Sequence, residues 1–299
     1  MDSQPGMYVE PGTFAAHIGF LKDNFRIISA AEALSEFRKG RIDSISPGSK
    51  PLCTLTFDDG WHDFHTHAFP VLNACQVPAT VFLPTDFIGT PKWFWTDRLT
   101  YIFHRRNTLR KPSCANGRPA AGDSADHLER LAAPEGEQFH KALSLLKSRR
   151  DEEIEEILNG LSRKWGIDPS PPTRAFLSWE EVGEMAKTGL ITFGSHTAGH
   201  RLLTTLTEVE IREELARSRD ILINRKAVDR SCIPFCYPNG NYTTGIAEMV
   251  KEAGYSLAVT TGQGWNPRNS DLFTLKRVAV QQDMTATPAM FKCRIAGVF

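Results

Sequence analysis

Leu55-Thr56-Phe57-Asp58-Asp59-Gly60 closes an apolar run that begins at Pro51. Two adjacent carboxylates followed at once by glycine are what a buried strand carries where it delivers charge to the mouth of a barrel or open sheet. Along a strand successive side chains point to opposite faces, but a turn begun at Gly60 relaxes that alternation and lets Asp58 and Asp59 take different jobs around one ligand. One could bind a metal while the other acts as a base. Asp-Asp-Gly is also an ordinary turn sequence, so the reading needs a second piece.

Leu190-Ile191-Thr192-Phe193-Gly194 supplies it, an apolar strand that empties into Ser195-His196-Thr197-Ala198-Gly199-His200. Imidazoles four residues apart fall on one face of a helical turn, the spacing that lets both reach one cation. Both stretches sit directly after apolar strands, where α/β folds keep their active sites. Together they predict a site of two histidines and one carboxylate. Such a set leaves coordination positions open for water and substrate, the mark of a catalytic rather than a closed structural metal.

Thr56-Phe57-Asp58-Asp59-Gly60 and His196-Thr197-Ala198-Gly199-His200 resemble the first two signature motifs of the polysaccharide deacetylases, the NodB-homology group of carbohydrate esterases. Phe235-Cys236-Tyr237-Pro238-Asn239-Gly240 stands where that family has its third. The resemblance runs over most of the chain outside residues 92–177. It implies an α/β fold, a distorted (β/α) barrel of about seven strands, and metal-dependent removal of acetyl groups from N-acetylated sugars. It further implies that Asp58 is the general base and that Asp59, His196 and His200 are the metal ligands. Zinc is the expected cation for that donor set, with cobalt, nickel or iron also accepted.

At 299 residues, 41% hydrophobic and 23% charged, the chain can bury a full core as one α/β domain over 1–299 carrying an insertion. Zero formal net charge gives no electrostatic case for nucleic acid or an anionic membrane as partner. The expected partner is a carbohydrate. Neither a membrane span nor a signal peptide is visible, which predicts a cytoplasmic protein. The six cysteines show no regular spacing and read as reduced.

In chain order, Phe14–Lys22 reads as a helix, Phe25–Ile28 as a strand, and Ser29 as the cap of a helix over Ala30–Lys39. Relatives usually begin with a strand bearing a Tyr-His pair, and nothing before Met7 could form it, so either the barrel lacks its first strand or the start is truncated. Asp63–Ala74 reads as a helix and Ala79–Pro84 as a strand. His62, His65 and His67 do not share one helical face and are read as rim histidines outside the site. From 92 to 177 the α/β rhythm stops and a helical insertion is expected, with Asp151–Trp165 its clearest helix. Its opening, Trp93-Phe94-Trp95-Thr96-Asp97, offers Trp95 for stacking on a sugar ring and Asp97 for accepting hydroxyl protons; anchoring of the insertion is the competing role for the tryptophans. Ser178 with Glu181, and Thr207 with Glu210, read as capping boxes. Strands are expected at Cys232–Tyr237, Tyr255–Thr260 and Phe273–Val280.

Two departures from the family pattern matter. Relatives often place an arginine beside the third-motif phenylalanine, paired with the catalytic aspartate; here Cys236 stands there, and Arg277 is named from its position as the replacement. The backbone around Asn239 is the candidate oxyanion pocket, and Tyr237 and Pro238 of the same motif are candidate substrate contacts. Many relatives also end with Leu-x-His, whose histidine protonates the leaving amine, whereas this chain reads Leu275-Lys276-Arg277 and has no histidine after His200. The reading is therefore a sugar N-deacetylase without a dedicated histidine acid. Its alternatives are a sugar O-acetyl esterase, or a metal- and sugar-binding relative with weak turnover.

Overall fold

A computed structural model of the chain describes residues 8–40, 48–109, 143–147, 149–168 and 173–298. It falls into two compact units, Met1–Thr90 with Phe176–Phe299, and Pro91–Ala175. The first is built on a curled parallel sheet, a half-barrel flanked by helices, whose strands lie in simple chain order. They are β3 (Thr56–Phe57), β4 (Ala79–Leu83), β5 (Ile191–Ser195), β6 (Pro234–Cys236), β7 (Leu257–Gln263) and β8 (Leu275–Arg277). Parallel neighbours require crossovers, and helices Phe69–Cys75, Trp179–Lys187, Glu208–Asn224 and Thr244–Glu252 lie in those between β3 and β7.

Ahead of this sheet, β1 (Arg26–Ile27) pairs in parallel with β2 (Leu52–Cys53). Residues 52–57 are one apolar run that changes partners midway. Pro51 and Cys53 carbonyls accept from Arg26 and Ile28 N–H (2.9 and 2.8 Å), while the Leu55 carbonyl accepts from Thr80 N–H at 2.9 Å on the other side. β1 thus adds one more row beyond β3. The strand that relatives carry before the entry helix would lie ahead of Pro11–Asn24, largely outside the described residues.

β4 is buried along its whole length, as expected of a strand covered on both faces. Gly194 of β5 exists because nothing larger fits: a Cβ there would stand 2.6 Å from the Pro234 carbonyl and 2.7 Å from the Phe82 ring. Several strands are shorter than the apolar runs that announce them. Cys232–Tyr237 yields only Pro234–Cys236, and Phe273–Val280 only Leu275–Arg277. Around β6 burial extends past the ladder on both sides, from Cys232 to Pro238, so hydrophobicity there marks the core rather than the hydrogen bonding, whereas Phe273, Val278 and Val280 around β8 are only half-buried. Asp63–Ala74 is likewise not one α-helix, since Phe64–Ala68 winds as a π-helix before Phe69–Cys75.

The second unit has its own core of Leu99, Ile102, Phe103, Leu146, Ile154, Leu158, Leu161 and Ile167. It joins helix Trp95–Leu109 to helix Asp151–Trp165, whose first turn carries Asp151, Glu152 and Glu153 and whose Gly166 cap is left-handed. Arg98 ties the two helices through Glu155 at 2.6 Å and Asn159 at 3.2 Å. In the sequence, 111–123 is rich in Pro, Gly, Ala and Ser and reads as a loop, and 134–150 reads as a helix; the first lies outside the described residues, and of the second only 143–147 and 149–150 are described.

Five cysteines among the described residues are free, and Cys114 lies outside them. Burial pushes the Cys53 and Cys232 thiols up to about 11, which keeps them protonated and unreactive. Among the described residues no helix is long and apolar enough to cross a membrane.

Candidate active site

The C-terminal ends of β3, β5, β6 and β8 bring their side chains to one place. After β3 the chain turns at Asp59 and Gly60, both with positive φ (69° and 63°), and a Cβ at residue 60 would meet Leu83 Cδ2 at 2.6 Å. The turn sends Asp58 and Asp59 to different partners. Asp59 Oδ1 lies 3.3 Å from His196 Nε2 and 3.3 Å from His200 Nε2. Its Oδ2 accepts from Trp61 Nε1 at 3.1 Å, and the Trp61 ring is held by stacking on Phe176, centroids 4.6 Å apart.

The histidine loop is not the helical turn that its spacing suggests. β5 continues into His196, whose N–H donates to the Leu83 carbonyl at 3.0 Å, and the chain is then crimped by left-handed Thr197 (φ 62°) and His200 (φ 56°). Positive φ at non-glycine residues is strained and persists where surroundings enforce it. Here the enforcer is Glu214, buried on helix Glu208–Asn224, whose Oε2 accepts from Ala198 N–H at 3.0 Å and Gly199 N–H at 2.7 Å. Thr85 and Asp86 N–H donate to the Thr197 and Ala198 carbonyls (3.3 and 3.0 Å) from the other side. Neither Glu214 nor Trp61 is named by the sequence reading. Trp61 adjoins the first motif, but nothing in the order of residues ties Glu214 to the histidines.

The donors fit a divalent cation. Ligands at 2.0–2.1 Å on a tetrahedron are about 3.3–3.4 Å apart, the spacing found between Asp59 and each imidazole. His196 Nδ1 lies 2.8 Å from the Cys236 carbonyl oxygen; because a carbonyl only accepts, Nδ1 carries the hydrogen, and Nε2, which faces Asp59, is the nitrogen through which the ring would ligate a cation on giving up its proton. Burial alone would raise the Asp59 carboxyl, but hydrogen bonds and charge from His196 and His200 outweigh it and hold Asp59 ionised, the state a ligand requires.

Asp58 is engaged differently. Arg277 Nη1 donates to Oδ1 at 2.6 Å and Nη2 to Oδ2 at 2.8 Å, a bidentate fork arriving from β8. The fork is aimed by Nε, which donates to the Thr260 carbonyl at 2.8 Å. Burial pushes the Asp58 carboxyl up, and Arg277 with a smaller contribution from His196 brings it below the usual range. Cys236 Sγ stands 3.4 Å from Arg277 Nη2, and burial raises its thiol, so it is a neutral neighbour.

The other sequence-named residues are placed less centrally. Tyr237 is fully buried, its hydroxyl donating to the Phe273 carbonyl at 2.9 Å, and Pro238 is buried beside it. Their side chains are core. Asn239 sits exposed in the Pro238–Gly240 turn with φ 56°. Trp95 packs on the core of the second unit, Trp93 Nε1 donates to the Thr173 carbonyl at 3.0 Å, and Asp97 accepts from Thr96 Oγ1 at 3.2 Å.

A family model described as polysaccharide deacetylase matches residues 46–258. YxkH of Bacillus subtilis (strain 168), whose name places it among the polysaccharide deacetylases, is 32% identical over 111 residues. That match covers 37% of this chain and 39% of YxkH, well under half of the curated relative's length. Among solved structures, the Streptococcus pyogenes deacetylase PplD in complex with acetate is similar at 19% identity and TM-score 0.59, over 94% of this chain and 86% of that one. IcaB from Ammonifex degensii is similar at 20% identity and TM-score 0.58, over 97% and 89%. These two likenesses establish the fold.

Proposed function

Since this chain belongs to the polysaccharide deacetylase family, we propose that it removes acetyl groups from N-acetylated sugars of a glycan, using a divalent cation held by Asp59, His196 and His200. The observation that carries this reading is the division of labour between adjacent carboxylates. Asp59 faces two imidazoles, and Asp58 faces Arg277. A cation bound there, zinc by preference, polarises the acetyl carbonyl and acidifies water.

The chain's own groups do the rest. Asp58 takes the proton of the attacking water. Its depressed affinity for protons makes it a modest base but, once protonated, a strong acid. That property supplies the missing donor: with no histidine after His200, Asp58 returns the proton to the departing amine nitrogen. Arg277 holds the carboxylate in one orientation through both steps. The Asn239 backbone N–H, at the exposed left-handed turn that closes the third motif, offers a donor to the oxyanion. Trp95 and Asp97 are further proposed as sugar contacts on their residue chemistry alone. A sugar ester is the second candidate substrate, favoured by the absent histidine, because an alkoxide leaves with less help from an acid than an amine does.

Acetate release from a panel of N-acetylhexosamine oligomers and O-acetyl sugars, with and without chelator, tests the reading. Asp58→Asn should retain the metal and lose roughly 100- to 10,000-fold in rate, the usual worth of a general base. Undiminished turnover in Asp58→Asn would overturn the role of Asp58, and chelator-resistant acetate release would overturn the metal.

A further inference from the structure

A second cluster of metal-ligating groups lies outside the site just described. His62 and His65 flank the start of the π-helical turn Phe64–Ala68, and Glu181 projects from helix Trp179–Lys187. Their ligand atoms all lie within 4.8 Å of one another. His62 Nε2 is 3.2 Å from Glu181 Oε1, and His65 Nε2 is 3.4 Å from Glu184 Oε2, one turn further along the same helix. We propose that His62, His65 and Glu181, with Glu184 as the outer donor, form a second site for a divalent transition-metal ion.

Four features support this. The 3.2 Å between His62 Nε2 and Glu181 Oε1 is close to the roughly 3.3–3.4 Å edge of a tetrahedral site, and His65 presents its own ligand atom within 4.8 Å of both. Glu181 is already oriented: its Oε2 accepts from Ser178 N–H at 2.8 Å as part of the capping box, which leaves Oε1 turned to His62. His65 is steadied by stacking on Phe69 at 5.8 Å. The π-helical winding departs from α-helical spacing just where the histidines lie, and such turns recur at functional sites.

Side-chain exposure of 41% at His62, 25% at His65 and 64% at Glu184 makes this an open site whose ion exchanges with solvent. Two histidines with carboxylates select zinc, nickel, cobalt or copper over calcium and magnesium. Occupancy would cross-link the turn that follows Asp59-Gly60-Trp61 to the helix that follows Phe176, the two segments already joined by the Trp61–Phe176 stack. The second ion therefore braces the residue that orients Asp59, without touching the reacting atoms.

The test is zinc binding to the full chain by equilibrium dialysis and elemental analysis, alongside thermal unfolding across a zinc titration. The wild type should bind two ions per chain at saturation. His62→Gln/His65→Gln should bind one, and His200→Ala should bind the other one. His67→Gln, removing an exposed histidine of the same turn outside the cluster, should leave the count at two. Full occupancy in His62→Gln/His65→Gln would overturn the proposal, as would an equal loss in His67→Gln, which would mark adventitious surface binding. Circular dichroism of each variant separates lost binding from lost folding; if the double variant unfolds, His62→Gln alone must weaken the second ion at least tenfold. One ion left in His200→Ala, and abolished when His62→Gln/His65→Gln is added to it, keeps this site distinguishable from any failure of the Asp59 site.

Discussion

Glu214 is the residue through which the geometry of the histidine loop is most directly tested. It sits buried on a helix, fourteen residues past His200, with one oxygen accepting two backbone N–H groups between the histidines. Hydrogen bonds to a charged group contribute about 1.5–3 kcal/mol each. Glu214→Ala therefore removes about 3–6 kcal/mol as an upper bound, reduced by whatever water enters, from a total of about 5–15 kcal/mol for an ordinary domain. Released strain at Thr197 and His200 offsets part of this, and in relaxing the loop lets His200 swing away from Asp59. Metal affinity should fall about 10- to 100-fold, the range for lost ligand support. Glu214→Gln can keep its oxygen toward the loop but turns an amide toward Arg217, so it should fall between wild type and alanine. Arg217→Ala is the comparison: it removes the partner of Asp86 and of the other oxygen of Glu214 but leaves the Ala198 and Gly199 donors on Oε2, so zinc affinity should fall less than in Glu214→Ala. Denaturant unfolding of the zinc-free protein and a zinc competition assay read the two effects separately. Wild-type zinc affinity in Glu214→Ala, whatever its stability, would show that Glu214 does not hold the histidines in place for the metal.

Three further outcomes are expected. Arg277→Met should leave the metal in place and move the acid limb of the rate profile to higher pH, because burial alone pushes the Asp58 carboxyl up once the fork is gone; an unmoved limb counts against Arg277 as the cation that tunes Asp58. His17, buried and stacked on Phe291, donates from Nε2 to the Thr285 carbonyl at 2.9 Å, and burial lowers its pKa below 6.5 despite that bond. The unfolded chain then binds the proton first, so stability is complete above about pH 6.5 and falls as pH drops, by at most about 1.4 kcal/mol per pH unit; His17→Gln should flatten that slope in urea titrations. Trp95→Ala should destabilise the second unit with metal content unchanged, and Asp97→Ala should raise KM more than it lowers the melting temperature; an unchanged KM for Asp97→Ala would leave Asp97 without a substrate role.

What could be read from residue order is what local chemistry decides. Ser29, Ser178 and Thr207 cap the helices they precede, each with a glutamate three residues on, since both halves of a capping box lie within one turn. Helix Asp151–Trp165 is legible from its apolar spacing and from charges that suit its dipole. The parallel sheet follows from apolar runs ending in charge. What could not be read depends on distant parts of the chain. Spacing of four between His196 and His200 is the same in a helix and in a crimped loop, and only Glu214 and the β4 segment decide between them. Tyr237 stands in a motif next to polar residues, yet the Phe273 carbonyl draws its hydroxyl into the core. His62 and His65 look like rim histidines until helix Trp179–Lys187 brings Glu181 to them.

The arginine on Asp58 shows why position could suggest what spacing could not. The family resemblance puts an arginine beside the third-motif phenylalanine, at the end of β6, where this chain has Cys236. In a parallel half-barrel all strands end on the same side, so a long side chain from another strand can reach the same carboxylate. β8 does this with the help of an irregularity: the register between β7 and β8 shifts between Val259 and Gln263. The displaced ladder leaves the Thr260 carbonyl to accept from Arg277 Nε, which fixes the angle of the fork. The small thiol at Cys236 then vacates the volume that the guanidinium approaches, 3.4 Å from Sγ. Cysteine at 236, the β7 irregularity and arginine at 277 are thus parts of one arrangement. Cys236→Arg would crowd two cations onto one carboxylate, and the resulting loss of acetate release should be relieved by adding Arg277→Met.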